Sequence, residues 1–354
     1  MLHENDASVH TQVVDSYQYA ALVMSRIVSD GYLRMVKTIP QMYRYVYDRA
    51  ERATEVGPFR LWAHQFTAGN LRPLIERERP DVVVCTHAFP CGAMAEYKKL
   101  YADSPPIVGI LTDFAVHGFW IHHNVDAYAV STQAIREIML ARGVESSRIE
   151  VTGIPVNPKF APSGESRDRL RERLGLPLDR KLVLMMGGGL GIGPLEGMLR
   201  SLESVETPIG AVVIAGRSAR VERRVLAAAA SVSYPVRVLR FVENVYDYMH
   251  ACDAFLTKPG GLSTAEALCA QIPLVLCKPL PGQEERNAQL LVEWGAALRA
   301  RRLTDLPGDL RAVLGPQRED MLGAQRRTAH PHAALAAANL IARVARGQKE
   351  LLPA

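Results

Sequence analysis

Two consecutive α/β domains, each a parallel sheet wound by helices on both faces, are what this amino-acid order predicts. Three observations carry the prediction. Short β-branched runs alternate with stretches of helix formers along most of the 354 residues. The runs are apolar nearly throughout, as strands buried on both faces must be. The alternation breaks once, between 155 and 178, where Pro155, Pro158, Pro162, Gly164 and Pro177 surround one short charged helix. At about 150 residues per domain the length suits two domains.

The elements follow in order. In the first half the strand runs are 11–15, 82–86, 107–112, 127–131 and 149–152, with helical spacing at 60–79 and 133–142. In the second they are 182–186, 211–215, 236–239, 254–257, 274–277 and 296–299, with a helix at 263–270. An Ala-rich tail at 330–347 predicts one closing helix. The expected layout is residues 1–154 as a first domain, 155–178 as a linker, 179–330 as a second domain and 331–354 as a terminal helix and tail. Ligands of such sheets bind outside the carboxyl ends of the strands.

Composition narrows the class. Apolar residues are 48% and charged residues 22%, so the chain is globular. The opening residues lack the basic-then-apolar order of a secretory signal, and no apolar run reaches the roughly 18 residues of a spanning helix. A cytoplasmic protein is expected. Five cysteines, an odd number without a CxxC pair, predict reduced buried thiols. Net charge is +5, and the arginines are scattered, so a nucleic-acid partner is not expected. A modest positive balance suits an anionic ligand or an anionic membrane surface.

The chemistry concentrates in the second half. Residues 187–193 hold five glycines, Gly187, Gly188 and Gly189 among them, directly after a buried strand. Glycine lets backbone N–H groups approach a phosphate, and a following helix start adds partial positive charge. A tight strand–helix turn has the same composition, and the spacing is neither GxGxxG nor a Walker loop. Further on, Lys258-Pro259-Gly260-Gly261 ends a strand, and Ser263 or Thr264 is expected to cap the next helix. Glu266 then sits near the loop, placed either to accept two ribose hydroxyls or to close a capping box. Pro279, Pro281 and Gly282 stiffen the loop that presents Gln283 and Glu284, side chains suited to a polyhydroxylated ring or simply to solvent. Phe241-Val242, after strand 236–239, offers a flat wall for a nucleobase or an ordinary core aromatic.

The segments KPGGLSTAEAL, KPLPGQEERNA and WGAAL, with the Gly-rich loop, resemble the sugar-donor half of family-28 glycosyltransferases, above all the processive diacylglycerol glucosyltransferases and monogalactosyldiacylglycerol synthases. In the first half PDVVVCTH, Leu111-Thr112-Asp113-Phe114, His117, Trp120, Val125-Asp126 and VTGIPVNPKF match as well. The resemblance implies a GT-B fold, in which two such domains face a cleft, a layout shared with sugar-nucleotide epimerases. It implies an inverting transfer from UDP-glucose or UDP-galactose to diacylglycerol, with no cofactor and no metal. It also implies that Glu266 holds the ribose, Phe241 and Val242 the uracil, the Gly-rich loop, Gly260 and Gly261 the phosphates, and Gln283 and Glu284 the sugar. Gly216, Ser263 and Asn287 complete the implied donor-binding set.

Family members ordinarily open with a strand, a glycine-rich loop ending in histidine, and a helix. Here His3 and His10 lie in no such loop, so an incomplete amino-terminal unit is expected. That leaves Asp113 and His117, at a strand end, as the candidate catalytic bases for an acceptor hydroxyl, although either has an ordinary structural role open to it. His122-His123 with Asp126 makes a poor metal site, because adjacent histidines on a strand point apart. Between Tyr32 and Trp62, aromatic residues (Tyr43, Tyr45, Tyr47, Phe59) interleave with Arg34, Lys37, Arg44, Arg49, Arg52 and Arg60. That pattern suits a peripheral helix on the inner face of the cell membrane, or a core-packing helix pair with a solvated basic face. Competing functions are a soluble UDP-sugar epimerase and a non-catalytic UDP-sugar or lipid binder.

Overall fold

The structure is a computed structural model that describes residues 7–20, 57–162, 164–188 and 193–347, without the side chain of Phe59. It divides into two compact units, Met1–Pro155 with His332–Ala354, and Val156–Pro331.

Among the described residues of the first unit, four parallel strands run β1 (Val83–Cys85), β2 (Ile107–Ile110), β3 (Ala127–Val130) and β4 (Ile149–Val151), side by side in that order. The inner strands β2 and β3 are buried at every position, as their unbroken apolar sequence requires. One face is covered by α1 (Pro58–Glu78), α2 (Ala88–Leu100) and α3 (Gln133–Ala141), through Leu71, Leu74, Met94, Tyr97, Ile135 and Met139.

The run 11–15 forms no strand. Val13 is fully exposed, and Asp15 turns its carboxylate to the N–H of Tyr17 at 3.0 Å, capping a single 3-10 turn, Ser16–Tyr19. Two β-branched apolar residues without a partner strand are not enough to build an edge. Most of the aromatic–basic segment, its residues 32–56, lies outside the described residues. At its described end, Arg60 turns inward and lays its guanidinium 4.0 Å over the ring of Phe119. Trp62 stays half-exposed on α1, its ring 5.7 Å from that of Phe66 one turn on.

The segment 155–178 is no free linker. It supplies α4 (Arg167–Leu174) to the second unit, with Leu170 and Arg171 buried. Arg171 places a guanidinium nitrogen 2.6 Å from Asp253 and donates to the carbonyls of Ala251 and Arg180. Asp253 in turn accepts the N–H of Leu182 at 2.8 Å. Arg167 reaches the same carboxylate at 3.1 Å, so two arginines of this charged helix are tied to one buried aspartate.

The second unit carries six parallel strands, β5 (Lys181–Met186), β6 (Ile209–Ile214), β7 (Val236–Leu239), β8 (Ala254–Thr257), β9 (Leu274–Cys277) and β10 (Leu298–Ala300). They lie in the order β10-β9-β8-β5-β6-β7. Helices α5 (Leu195–Ser201), α6 (Ala219–Ala229), α7 (Val245–Ala251), α8 (Gly261–Ala270), α9 (Gln283–Glu293), α10 (Leu306–Leu314) and α11 (Arg318–Thr328) connect and cover them. The chain then returns to the first unit. In α12 (Ala333–Ala345), Ala337, Leu340 and Ile341 cover the second face of its sheet, on Val108, Ile110, Ala127 and Ala129.

All five cysteines are buried free thiols. Burial pushes Cys252 and Cys277 up to about 12.

Candidate functional site

Strand order locates the site in the second unit. From β5 the chain first winds outward through β6 and β7, then crosses back to β8, β9 and β10 on the other side. The neighbours β5 and β8, with Met186 beside Thr257, therefore send their connections in opposite directions and leave a crevice at their carboxyl ends. Thr257 fixes this junction by donating its hydroxyl to Met186 O at 3.0 Å.

The two segments that the sequence singles out leave from these two strand ends. Gly187 and Gly188 follow β5, and Gly188 adopts φ +74°, a left-handed conformation that suits glycine. A Cβ on Gly193 would stand 2.8 Å from Gly187 Cα, so the two described ends of the loop lie against each other. Gly189 lies outside the described residues.

Opposite, Gly260 is the N-cap of α8, and no side chain caps that helix. The expected cap is therefore corrected. Thr264 is already inside α8, where its hydroxyl donates back to Gly260 O at 2.8 Å, and Ser263 lies in the first turn, half-buried. A capping residue must precede its helix, and here glycine does. Nothing stands within 4 Å of a Cβ built on Gly260. The start of α8 thus offers backbone N–H groups and the positive end of a helix dipole.

Glu266 occupies the second turn of α8. It makes no hydrogen bond or ion pair among the described residues, which removes the capping-box reading. Burial alone pushes its carboxyl up to about 7. A half-buried carboxyl without a partner is costly to ionise and can be relieved by a ligand that donates hydrogen bonds.

The loop after β9 leads to α9, whose N-cap is Gly282 at φ +85°. Gln283 and Glu284 open that helix, half-buried. Glu284 is held on both oxygens, by Lys258 Nζ at 2.6 Å and by the N–H of Leu280 at 2.9 Å. Asn287, counted with the donor-binding set, is fully buried and gives its amide to Pro259 O at 3.2 Å. It props the loop that holds Gly260 and presents nothing to solvent.

Gly216 follows β6 and Phe241-Val242 follows β7, at the same sheet end. Phe241 is 44% exposed, but the guanidinium of Arg217 lies 3.7 Å from its ring centroid. One face of the aromatic wall is therefore already covered by a cation.

In the first unit, Asp113 and His117 lie half-buried on the loop beyond the carboxyl end of β2. Ser131, at the end of β3, donates to the Asp113 carbonyl at 2.6 Å and ties that loop to the sheet. His117 precedes a 3-10 turn and meets Phe119 edge-on at 5.4 Å, the ring that Arg60 covers on α1. The apolar members of the same motif, Phe114, Val116 and Trp120, are core.

The pair His122-His123 makes no metal site with Asp126. Asp126 is taken by Lys98 at 2.6 Å and by the N–H of Ile107, and His122 bonds Phe119 O at 3.1 Å. Beneath this layer, His64 of α1 lies buried against Gly92 of α2, where a Cβ would stand 2.2 Å from the imidazole. Burial lowers His64 to about 3 and His122 to about 4.

Three residues here were not among the sequence's site candidates. His87, exposed, lies two residues past the end of β1 as the N-cap of α2; its Nδ1 faces the Tyr17 hydroxyl and accepts the N–H of Phe89, both at 3.3 Å. Its position at a strand end was a usable signal. Lys258 and Arg217 show their roles only in three dimensions.

Known proteins place this arrangement in a family. The family model for monogalactosyldiacylglycerol (MGDG) synthase matches residues 2–156. A processive diacylglycerol beta-glucosyltransferase of Bacillus cytotoxicus is 30% identical over 308 residues, 87% of this chain and 78% of that protein. Among solved structures, MurG of Acinetobacter baumannii aligns with a TM-score of 0.58 at 16% identity, over 80% of this chain and 79% of its own. A UDP-N-acetylglucosamine 2-epimerase assigned in Listeria monocytogenes aligns at 0.59 with 15% identity, over 85% of each chain. At such identities the structural likeness establishes the GT-B class of fold and nothing finer. The sequence relationship is closer, and by it the chain belongs to the family-28 glycosyltransferases, the group of the diacylglycerol glucosyltransferases and MGDG synthases.

Proposed function

We propose that the protein transfers a hexose, glucose or galactose, from its UDP-sugar to diacylglycerol, inverting the anomeric centre, at an anionic membrane surface on the cytoplasmic side. The carrying observation is the switch-point crevice between β5 and β8. There the Gly-rich loop follows β5 and the uncapped start of α8 follows β8, and Glu266, one turn into α8, makes no hydrogen bond or ion pair among the described residues. Backbone N–H groups suit a diphosphate and the carboxyl suits a ribose diol. The acceptor and the inversion rest on the relatives. They are named as diacylglycerol β-glucosyltransferases, and UDP-glucose is α-linked, so a β product requires inversion.

In this reading the acceptor hydroxyl oxygen attacks the anomeric carbon as the bond to the diphosphate oxygen breaks. Asp113 or His117 takes the hydroxyl proton, and UDP leaves with the bonding electrons. The N–H groups of Gly187, Gly188 and the start of α8 meet the charge that develops on the leaving oxygen. The aromatic–basic segment would hold the enzyme at the lipid surface. Among the described residues no helix is long and apolar enough to cross a membrane.

The test incubates the purified protein with anionic vesicles containing diacylglycerol and either UDP-glucose or UDP-galactose, then reads the anomeric proton of the lipid product by NMR. A β-hexosyl diacylglycerol is expected. An α product would refute inversion, and epimerised nucleotide sugar without glycolipid would refute transfer.

A further inference from the structure

Lys258 carries an assignment that neither its sequence position nor the family reading supplies. It leaves the end of β8 and runs across the Gly-rich loop, where a Cβ on Gly188 would meet its Cε at 2.6 Å and its Nζ at 3.5 Å. The ammonium ends 2.6 Å from one oxygen of Glu284, whose other oxygen accepts the N–H of Leu280. Both side chains are largely buried, Lys258 at 17% and Glu284 at 13% exposure. One cation thus joins three loops, those after β5, β8 and β9.

The place is unusual for such a pair. A structural ion pair has no need to lie over a loop built from glycines. The cost of bringing two charges into a half-buried crevice is offset mainly by each other while nothing else is bound. A diphosphate on the N–H groups of Gly187 and Gly188 would bring at least two negative charges beside the same ammonium, and several oxygens would compete with one carboxylate for it.

We propose that Lys258 is the cation that neutralises the diphosphate of the donor, and that it reaches the phosphates by exchanging out of its ion pair with Glu284. The proposal rests on the donor reading given above and deepens it. In the empty site Lys258 and Glu284 neutralise one another. When the nucleotide enters, the ammonium moves to the phosphate oxygens. The carboxylate, still anchored through Leu280, is released as a charged acceptor for the hydroxyls of the sugar. Phosphate binding and sugar recognition are then coupled through a single lysine, and an empty site presents no unpaired charge.

The exchange predicts effects of opposite sign at the two ends of the pair. Titration calorimetry with UDP and with uridine on the full chain reads them. Lys258→Met should weaken UDP about ten- to a hundred-fold, the scale of a lost hydrogen bond to a charged group, and leave uridine unchanged. Lys258→Arg should recover part of the loss. Glu284→Gln should bind UDP as tightly as the wild type or up to about threefold more tightly, because the ammonium loses its competitor, while UDP-glucose binds more weakly. If Lys258→Met and Glu284→Gln weaken UDP equally, Lys258 only props the loop and the exchange is overturned. Unchanged UDP affinity in Lys258→Met also overturns it, with the donor site still standing. A wild type that binds no UDP overturns the donor reading and the exchange together.

Discussion

The sheet of the second unit reverses its winding between β5 and β8, whereas the four described strands of the first unit run in simple order from β1 to β4. That difference separates two ways of making a site. Where winding reverses, neighbouring loops part and the crevice is built into the topology. Five loops at that end, after β5, β6, β7, β8 and β9, carry glycines, an aromatic wall, an uncapped helix start and a carboxyl without a partner among the described residues. Where winding does not reverse, polar groups merely line a sheet end, as His87, Asp113 and His117 do after β1 and β2. Their placement depends on the buried layer below, in which His64, His122 and Phe119 pack among α1, α2 and the loop. In the proposed function, nucleotide binding accordingly belongs to the second unit and the proton-accepting chemistry to the first.

The largest expected effect breaks or keeps that division. Asp113→Asn and His117→Gln are compared, and whichever residue is the base should lower kcat by about 10²–10⁴-fold, the usual worth of general-base assistance. Steady-state kinetics with diacylglycerol vesicles measure it. The division fails if neither substitution lowers kcat at least tenfold.

Next in size is Glu266→Ala, which should weaken UDP binding by about 1.5–3 kcal/mol. Thermal stability should hold or rise, since a desolvated, unpartnered carboxyl is removed. The pH dependence has a definite sign. Glu266 sits at about 7, above the ordinary 4.5, so the folded state keeps a proton that the unfolded chain loses. Stability from this group is greatest below pH 4.5 and falls as pH rises to about 7. His64 and His122 act oppositely. Lowered to about 3 and 4 from 6.5, they stabilise the first unit fully above pH 6.5 and lose that contribution as pH falls. Between about pH 4.5 and 6.5, acidification should loosen the first unit and relieve the second. Hydrogen exchange resolved by peptide would show it, and Glu266→Gln should abolish the second unit's share.

A smaller effect probes the packing beneath the first unit's site. Gly92→Ala drives a methyl into the His64 ring and should cost about 1–3 kcal/mol of stability, as overpacking does. Denaturant unfolding would report it, with UDP affinity unchanged. Smallest per residue, replacing Arg34, Lys37 and Arg44 by Gln should remove about 1 kcal/mol each from binding to anionic vesicles. Sedimentation with vesicles at low and high salt is the check, and equal binding of wild type and triple variant would exclude this segment as the anchor.

Legibility in the sequence followed the same line. The strands at 254–257 and 274–277 have the bounds their apolar runs predict, because strands buried on both faces leave a continuous signature. The run 11–15 misled, since pairing partners and not composition decide whether a short β-branched run becomes a strand. The stretch 155–178 read as a linker because the partner of Arg171, Asp253, is 82 residues away. In the crevice, Gly188, Gly260 and Glu266 were legible because a turn and a helix start are local features. The cap was misplaced by a few residues because Thr264 serves α8 from inside. Lys258 over Gly188, Arg217 over Phe241 and Asn287 beneath Pro259 were hidden, each depending on loops that only the folded sheet brings together.

The central claim is the division of labour between the units, and calorimetric titration of UDP into wild type, Glu266→Ala, Asp113→Asn and His117→Gln tests it most directly. The account predicts saturable binding to the wild type, a loss of about ten- to a hundred-fold in Glu266→Ala, and unchanged affinity in the two first-unit variants. Unchanged affinity in Glu266→Ala, or a comparable loss in Asp113→Asn or His117→Gln, would contradict it.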